Sequence, residues 1–361
     1  MNTTDFLAMQ TEYSAKTRGA GKVIDASYPL FKNALQAVLK DFDHPYFGLA
    51  DFGAADGGTS LSLITRSLDE LKSQKPHLPV HLNYSDLPEN DFNAVGRMLN
   101  NTNGAGDSFL DRYQQLTVST TPVSFYRPVM PPQTLSLGFS ATAMHWLENA
   151  PRVIEDHIHI AASKDEAAKE TYREMSHEAL VKILSRRAVE MHRGAQFLLV
   201  NFGINEKGQF LGNTRDVHMF NTFYANWSKM AKEGIITAEE VRNTNFPQYY
   251  RSASDYAQAV NDPRLEGKFE LVSIDDLTTD CPYREDFEAS GDRDTFVKNY
   301  PDTLQTWSYN VFYSGLNPSR PVEERHKIVK EFYDRFKSDI AARAEKHGMD
   351  YVHHLVLIKR V

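Results

Sequence analysis

The stretch Phe47-Gly-Leu-Ala-Asp-Phe-Gly-Ala-Ala-Asp-Gly-Gly-Thr-Ser-Leu61 packs four glycines and two aspartates behind a short apolar run. Phe47–Phe52 reads as a buried strand, and the residues from about Ser60 to Lys75 read as an amphipathic helix. Strand, glycine turn, helix is the arrangement in which backbone N–H groups and a helix N-terminus face a ligand at the carboxyl edge of a parallel sheet. Gly53, Ala54, Ala55, Gly57 and Gly58 are small enough for a ligand to approach the backbone closely. A structural strand-to-helix turn has the same composition, so the stretch alone does not name a ligand. It does narrow the choice. A dinucleotide fingerprint wants glycine where this chain has Ala55, and a phosphate-cradling loop requires a Gly-Lys-Ser/Thr that is missing. The aspartates would also repel a pyrophosphate.

One strand later comes Asn83-Tyr-Ser-Asp-Leu-Pro-Glu-Asn-Asp91. Asp86 follows a second strand, Val80–Tyr84, and an acid there can accept hydrogen bonds from both hydroxyls of a ribose. It could equally cap the helix that begins nearby. A turn averse to phosphate, followed by a ribose acid, points to a nucleoside without phosphates, with S-adenosylmethionine the obvious candidate.

The rest of the chain repeats the alternation. Helices are expected at Ser27–Lys40, with Pro29 in the first turn, at Asp91–Leu99, and at Met175–Arg193 closed by Gly194. Strands are expected at Leu116–Val118, Thr134–Phe139, Gln196–Asn201, Phe269–Ile274 and Tyr351–Lys359. This βαβ order predicts an α/β fold with a mostly parallel sheet covered by helices. From Thr214 to Tyr256 three helical pieces follow one another without strands, including Asn245-Phe-Pro-Gln-Tyr-Tyr250, which predicts a helical cap. The expected organisation is a core of residues 1–213 and 262–361 with a cap of 214–261. A long helix, Glu323–His347, precedes the last strand.

Composition sets outer limits. A net charge of −8 over 361 residues argues against broad nucleic-acid or anionic-membrane binding. The single cysteine, Cys281, cannot form an internal disulfide or a cysteine-based zinc site, which suits a reducing, cytoplasmic setting. The first residues carry no basic, apolar leader pattern, and no run approaches the ~18 apolar residues of a membrane span. His157-Ile-His159 and His353-His354 lack usual zinc spacings, so surface or capping roles are expected and no metal site is assigned. No Gly-x-Ser-x-Gly elbow occurs, which counts against a hydrolase.

Several stretches together resemble one family. Tyr13-Ser-Ala-Lys-Thr-Arg18, Asp51-Phe-Gly-Ala-Ala-Asp-Gly-Gly-Thr59, Ser85-Asp-Leu-Pro-Glu-Asn-Asp-Phe-Asn93, Ser124-Phe-Tyr126 and Met144-His-Trp-Leu147 look like the SABATH carboxyl methyltransferases. That family methylates salicylic, benzoic, jasmonic and indole-3-acetic acids and includes caffeine-pathway N-methyltransferases. The resemblance implies a Rossmann-like class I methyltransferase core with a seven-stranded sheet and an α-helical cap. It implies S-adenosylmethionine as cofactor, a small and largely apolar carboxylic acid as substrate, and often a homodimer. By position, Thr17, Asp51, Gly53, Thr59, Asp86, Leu87, Ser124 and Phe125 would hold the cofactor. His145 and Trp146 would grip the substrate carboxylate, and Tyr13, Ala20, Phe220, Tyr249 and Tyr351 would complete the substrate pocket. The family's carboxylate-gripping Gln falls on Ala20 or Gly21, neither of which has a side-chain donor.

The implied chemistry asks for alignment more than for acid–base catalysis. A carboxylate is already ionised at neutral pH, so in-line methyl transfer needs no general base. Positioning can contribute roughly 7–11 kcal/mol to such a step. A donor missing at position 20 leaves N-methyl transfer open, and a nicotinamide-dependent oxidoreductase is the alternative from another class.

Overall fold

A computed structural model describes residues 13–101, 108–151 and 153–361. Seven strands form one sheet: β1 Phe47–Phe52, β2 Val80–Asp86, β3 Leu116–Pro122, β4 Leu135–Ala141, β5 Met191–Phe202, β6 Phe269–Thr279 and β7 Tyr351–Arg360. Their order is β3-β2-β1-β4-β5-β7-β6, parallel from β3 through β5, with β7 antiparallel to both neighbours. β1 and β4 are buried at every position because helices cover both faces, which is why they read as continuous apolar runs. The mostly parallel seven-stranded α/β sheet is thus present.

The helices are α1 Tyr13–Lys16, α2 Arg18–Lys40, α3 Leu61–Gln74, α4 Phe92–Leu99, α5 Phe109–Arg112, α6 Glu166–Glu190, α7 Met219–Lys232, α8 Ala238–Asn243, α9 Ala253–Val260, α10 Pro282–Ser290, α11 Arg293–Gly315 and α12 Val322–Ala342. Among these described elements, α7 and α8 pack with α11 and α12, whereas α9 lies against α6 and β6. Helical cover over the sheet edge therefore comes from 219–243 and also from 282–342.

Four boundaries differ from expectation. The first long helix starts at Arg18 and runs through Pro29, with Ser27 Oγ donating to the Ile24 carbonyl. α6 starts at Glu166, capped by Asp165, and ends at Glu190, so Gly194 closes no helix. Instead Gly194, at φ +85°, sits in a bulged part of β5 where the register to β4 jumps between Leu135 and Leu137. The segment 244–252 is extended, because Pro247 disfavours helix at Phe246 and an isolated antiparallel bridge joins Trp146 to Gln248. Finally, α12 stops at Ala342, and a short 3₁₀ turn, Ala344–Lys346, carries the chain towards β7.

Candidate functional site

The carboxyl ends of β1, β2 and β4 open onto a cleft of about 1160 Å³ lined by Gly53, Ala55, Thr59, Asp86, Leu87, Ser124 and Phe125, with other residues. Beyond it lies an inner pocket walled largely by aromatic side chains. Tyr13, Thr142 and Trp146 line both spaces, so the two share a wall.

The glycine turn builds one side of the outer cleft. The amides of Gly53 and Ala54 both donate to the Ser85 carbonyl, pinning the turn to the end of β2. Gly53 has φ +84°, and a Cβ there would stand 2.4 Å from Cβ of Ala143. Its aspartates hold the turn itself. Asp51 is buried and accepts from Ser60 Oγ at 2.5 Å, and it is not among the residues lining the cleft. Burial lifts its carboxyl to about 7, partly offset by the Ser60 bond. Asp56 accepts from both the amide and the hydroxyl of Ser14, each at 2.9 Å, and so ties α1 to the turn.

Asp86 joins the two strands of the site. Its Oδ2 accepts from the Ala55 amide at 2.6 Å and its Oδ1 from the Leu87 amide at 2.7 Å. A carboxylate has about four acceptor positions, so roughly two stay available to ligand hydroxyls. The opposite wall, Ser124 to Arg127, rests on a buried ion pair. Arg187 donates to the carbonyls of Phe125 and Arg127 and to both carboxylate oxygens of Glu190, while Glu190 also accepts from the Val129 amide. Burial would depress the Arg187 guanidinium, and Glu190 counters it.

These features fit S-adenosylmethionine. A turn without lysine, a carboxylate with free acceptor positions at the strand end, and the aromatic face of Phe125 suit a ribose, an adenine and a cation. Two acids, Asp86 and Glu148, and one arginine, Arg127, are among the residues lining the cleft, a balance that suits a positively charged ligand.

The inner pocket begins just after β4. Thr142 has φ +50°, a strained conformation for a β-branched residue, where the chain leaves the sheet. Asn201 Oδ1 accepts from the Met144 amide, and Arg251 Nη1 donates to the Met144 carbonyl, fixing the turn that presents His145 and Trp146. Tyr126 donates to the Trp146 carbonyl at 2.9 Å, linking the cleft wall to the shared wall. Trp146 is therefore held in a turn and a bridge. Burial drives the His145 imidazole well below its usual range, so the ring is neutral, and it packs edge-on to Phe202. Tyr13 is half-buried, and the loss of water around it pushes its hydroxyl up to about 12.

The structure gathers most of the residues named from sequence. Gly53, Thr59, Asp86, Leu87, Ser124 and Phe125 meet at the outer cleft, and Tyr13, Ala20, His145, Trp146 and Tyr351 at the inner pocket. Thr17 lines the inner pocket, donating its hydroxyl to the Tyr13 carbonyl, and not the outer cleft. Phe220 and Tyr249 line neither space: Phe220 is fully buried and stacks on His159, and Tyr249 packs into the apolar cluster on the other side. Gln248, Tyr250, Phe202, Thr303, Trp307 and Met349 line the inner pocket and escaped the sequence reading. An extended reading of Pro247–Tyr250 would have put Gln248 and Tyr250 on one face and Tyr249 on the other. The expected capping role of His159 is real, since its Nδ1 accepts from the Ala161 amide.

Comparison with known proteins agrees with this geometry. A family model described as SAM dependent carboxyl methyltransferase matches residues 8–361. Indole-3-acetate O-methyltransferase 1 of Arabidopsis thaliana is 25% identical over 333 residues, covering 86% of this chain and 81% of that protein. Methyltransferase FUS9 of Gibberella moniliformis is 30% identical over 320 residues, covering 88% of this chain and 84% of that protein. Among solved structures, loganic acid methyltransferase with SAH superposes with a TM-score of 0.77 at 18% identity, covering 98% of each chain, a likeness of fold.

Proposed function

The chain belongs to the SAM-dependent carboxyl methyltransferase family, and from that premise we propose that it converts the carboxylate of a small, largely apolar acid to a methyl ester. One observation carries the reading: the outer cleft and the inner pocket meet at Tyr13, Thr142 and Trp146. A donor in the first space and an acceptor in the second would face each other across that wall.

The proposed cofactor contacts are Asp86 to the ribose hydroxyls, Leu87, Ser124 and Phe125 around the adenine, and Gly53 and Thr59 along the turn. Asp51 acts from beneath, through a buried carboxyl held up at about 7, and Thr17 from the inner side. When bound, S-adenosylmethionine supplies a methyl group activated by its sulfonium charge. This chain's residues then have three tasks. Trp146 offers its indole N–H to the carboxylate. The aromatic walls, with Tyr351 and Phe202 among them, exclude water and hold the apolar part of the acid. No base is required, because the carboxylate arrives ionised.

Trp146, Phe202, Tyr250, Trp307 and Tyr351 wall the inner pocket, which supports an acid with a largely apolar body. Two of its lining residues, Thr303 and Trp307, belong to α11, so the proposed cover of the pocket includes that helix as well as the predicted cap. Cys281 is buried and unpaired, which supports a reducing compartment such as the cytoplasm. The homodimer implied by the resemblance belongs to the same proposal and is read directly from the mass in solution.

Radiolabelled methyl transfer to a panel of aromatic, indolic, fatty and terpenoid acids tests the function. Label is expected in an extractable product that mild alkali hydrolyses. Label that survives alkali would move the acceptor to nitrogen, and no transfer to any acid would contradict the proposal.

A further inference from the structure

Gln248 is almost wholly buried, yet it faces the inner pocket. It stands opposite Trp146 in an isolated antiparallel bridge. Hydrogen bonds flank the pair, Leu147 N to the Pro247 carbonyl at 2.8 Å and Tyr249 N to the His145 carbonyl at 3.0 Å. Such a pair is of the narrow type, with Cα atoms ~4.5 Å apart and side chains on the same face. The fold therefore delivers Gln248 and Trp146 side by side into one cavity.

The orientation of the Gln248 amide is fixed from behind. The Ala161 N–H donates to His159 Nδ1 at 3.1 Å, so that nitrogen is the acceptor and the proton of the neutral ring sits on Nε2. Nε2 lies 3.2 Å from Gln248 Oε1 and donates to it. Burial holds His159 down at about 3, so the ring is neutral at any ordinary pH. The Tyr250 hydroxyl donates to the same oxygen at 3.1 Å. Both lone pairs of Oε1 are thus engaged by donors. The flipped amide would set its N–H groups against these two N–H and O–H donors. The NH₂ end is left to the pocket, and it bonds no acceptor among the described residues.

From this, and resting on the proposed carboxyl methylation, we infer that Gln248 is the second donor that binds the substrate carboxylate, beside Trp146, with His159 and Tyr250 as its positioning residues. Two neutral N–H groups then read the two oxygens. Among the described residues no lysine or arginine lines the inner pocket, so the carboxylate is oriented without one of these cations damping its nucleophilicity. Ala20, on the same lining, has no donor to give, and Gln248 supplies one from another part of the chain.

The experiment compares wild type, Gln248→Leu, Gln248→Glu and Tyr250→Phe in labelled methyl transfer to the best acid of the panel. S-adenosylhomocysteine binding is measured in each as a check on folding. A lost hydrogen bond to a charged group corresponds to roughly 1.5–3 kcal/mol, so the KM for the acid should rise about tenfold to a hundredfold in Gln248→Leu. The product affinity should not change. Gln248→Glu should lose more, through repulsion of the acid, and Tyr250→Phe less, because it frees one lone pair without removing the donor. If wild type methylates no acid, both the function and this assignment fall. If wild type turns over and Gln248→Glu keeps its KM, the assignment alone is overturned. Should Gln248→Leu fail to bind S-adenosylhomocysteine, the isosteric Gln248→Glu decides by the same criterion.

Discussion

The Ala55 amide donates to Oδ2 of Asp86 over 2.6 Å, joining the glycine turn after β1 to the acid at the end of β2. Ala55 makes this bond with φ +48°, a left-handed conformation that usually goes to glycine. The turn and the acid are thus one unit, and the cofactor site depends on both.

Asp86→Ala removes the ribose acceptor and leaves two backbone amides without their partner. Affinity for S-adenosylhomocysteine should weaken by about 1–3 kcal/mol in calorimetric titration, the cost of such a bond to a charged group. Unchanged affinity would remove Asp86 from the cofactor site.

Trp146→Phe keeps an aromatic wall, smaller by one ring, and deletes the N–H. Turnover of the acid should fall by about tenfold to a hundredfold in kcat/KM, while cofactor affinity stays within about twofold. Equal loss of both would place Trp146 in the structural core of the cleft.

Asp51 makes the site sensitive to pH. Burial raises its carboxyl to about 7. An acid raised on folding contributes stability that is complete below its unfolded value of ~3.9 and is lost as the pH climbs through the folded one. Asp51→Asn cannot ionise, so its melting temperature should gain on wild type between about pH 4 and about pH 7. A cation bound above the carboxylate favours its ionised form, so cofactor affinity in wild type should rise over the same interval. Parallel melting curves across that range would show that Asp51 ionises normally.

The Arg187–Glu190 pair, fully buried, underpins the Phe125–Arg127 wall. Glu190→Gln leaves the guanidinium without a countercharge and should destabilise the protein by about 3–5 kcal/mol. Chemical denaturation reads this directly, and cofactor affinity should fall with it as the wall loosens. A loss below about 1 kcal/mol would mean that the carbonyls alone satisfy Arg187.

What the sequence revealed was local. β1, the turn and Asp86 were legible because a buried parallel strand is a continuous apolar run and its end is marked by glycine or an acid. α11 was not, since Pro301 and a weakly amphipathic pattern hide a helix that tertiary packing sustains. Gln248 and Tyr250 were missed for a geometric reason. Their segment read as helix, whereas an extended chain alternates faces every residue, which turns Tyr249 away from the pocket. Phe220 had the right neighbourhood but sits one layer back, stacked on His159 behind Gln248. No periodicity could report the His159–Gln248–Tyr250 contacts, which join positions from two distant segments.

The most direct measurement is a crystal structure of the complex with S-adenosylhomocysteine and the preferred acid. The nucleoside is expected in the outer cleft against Asp86. The carboxylate should lie at the wall shared by Tyr13, Thr142 and Trp146, with one oxygen in line with the sulfur. An acid bound elsewhere, or one turning its carboxylate away from the sulfur, would contradict the account.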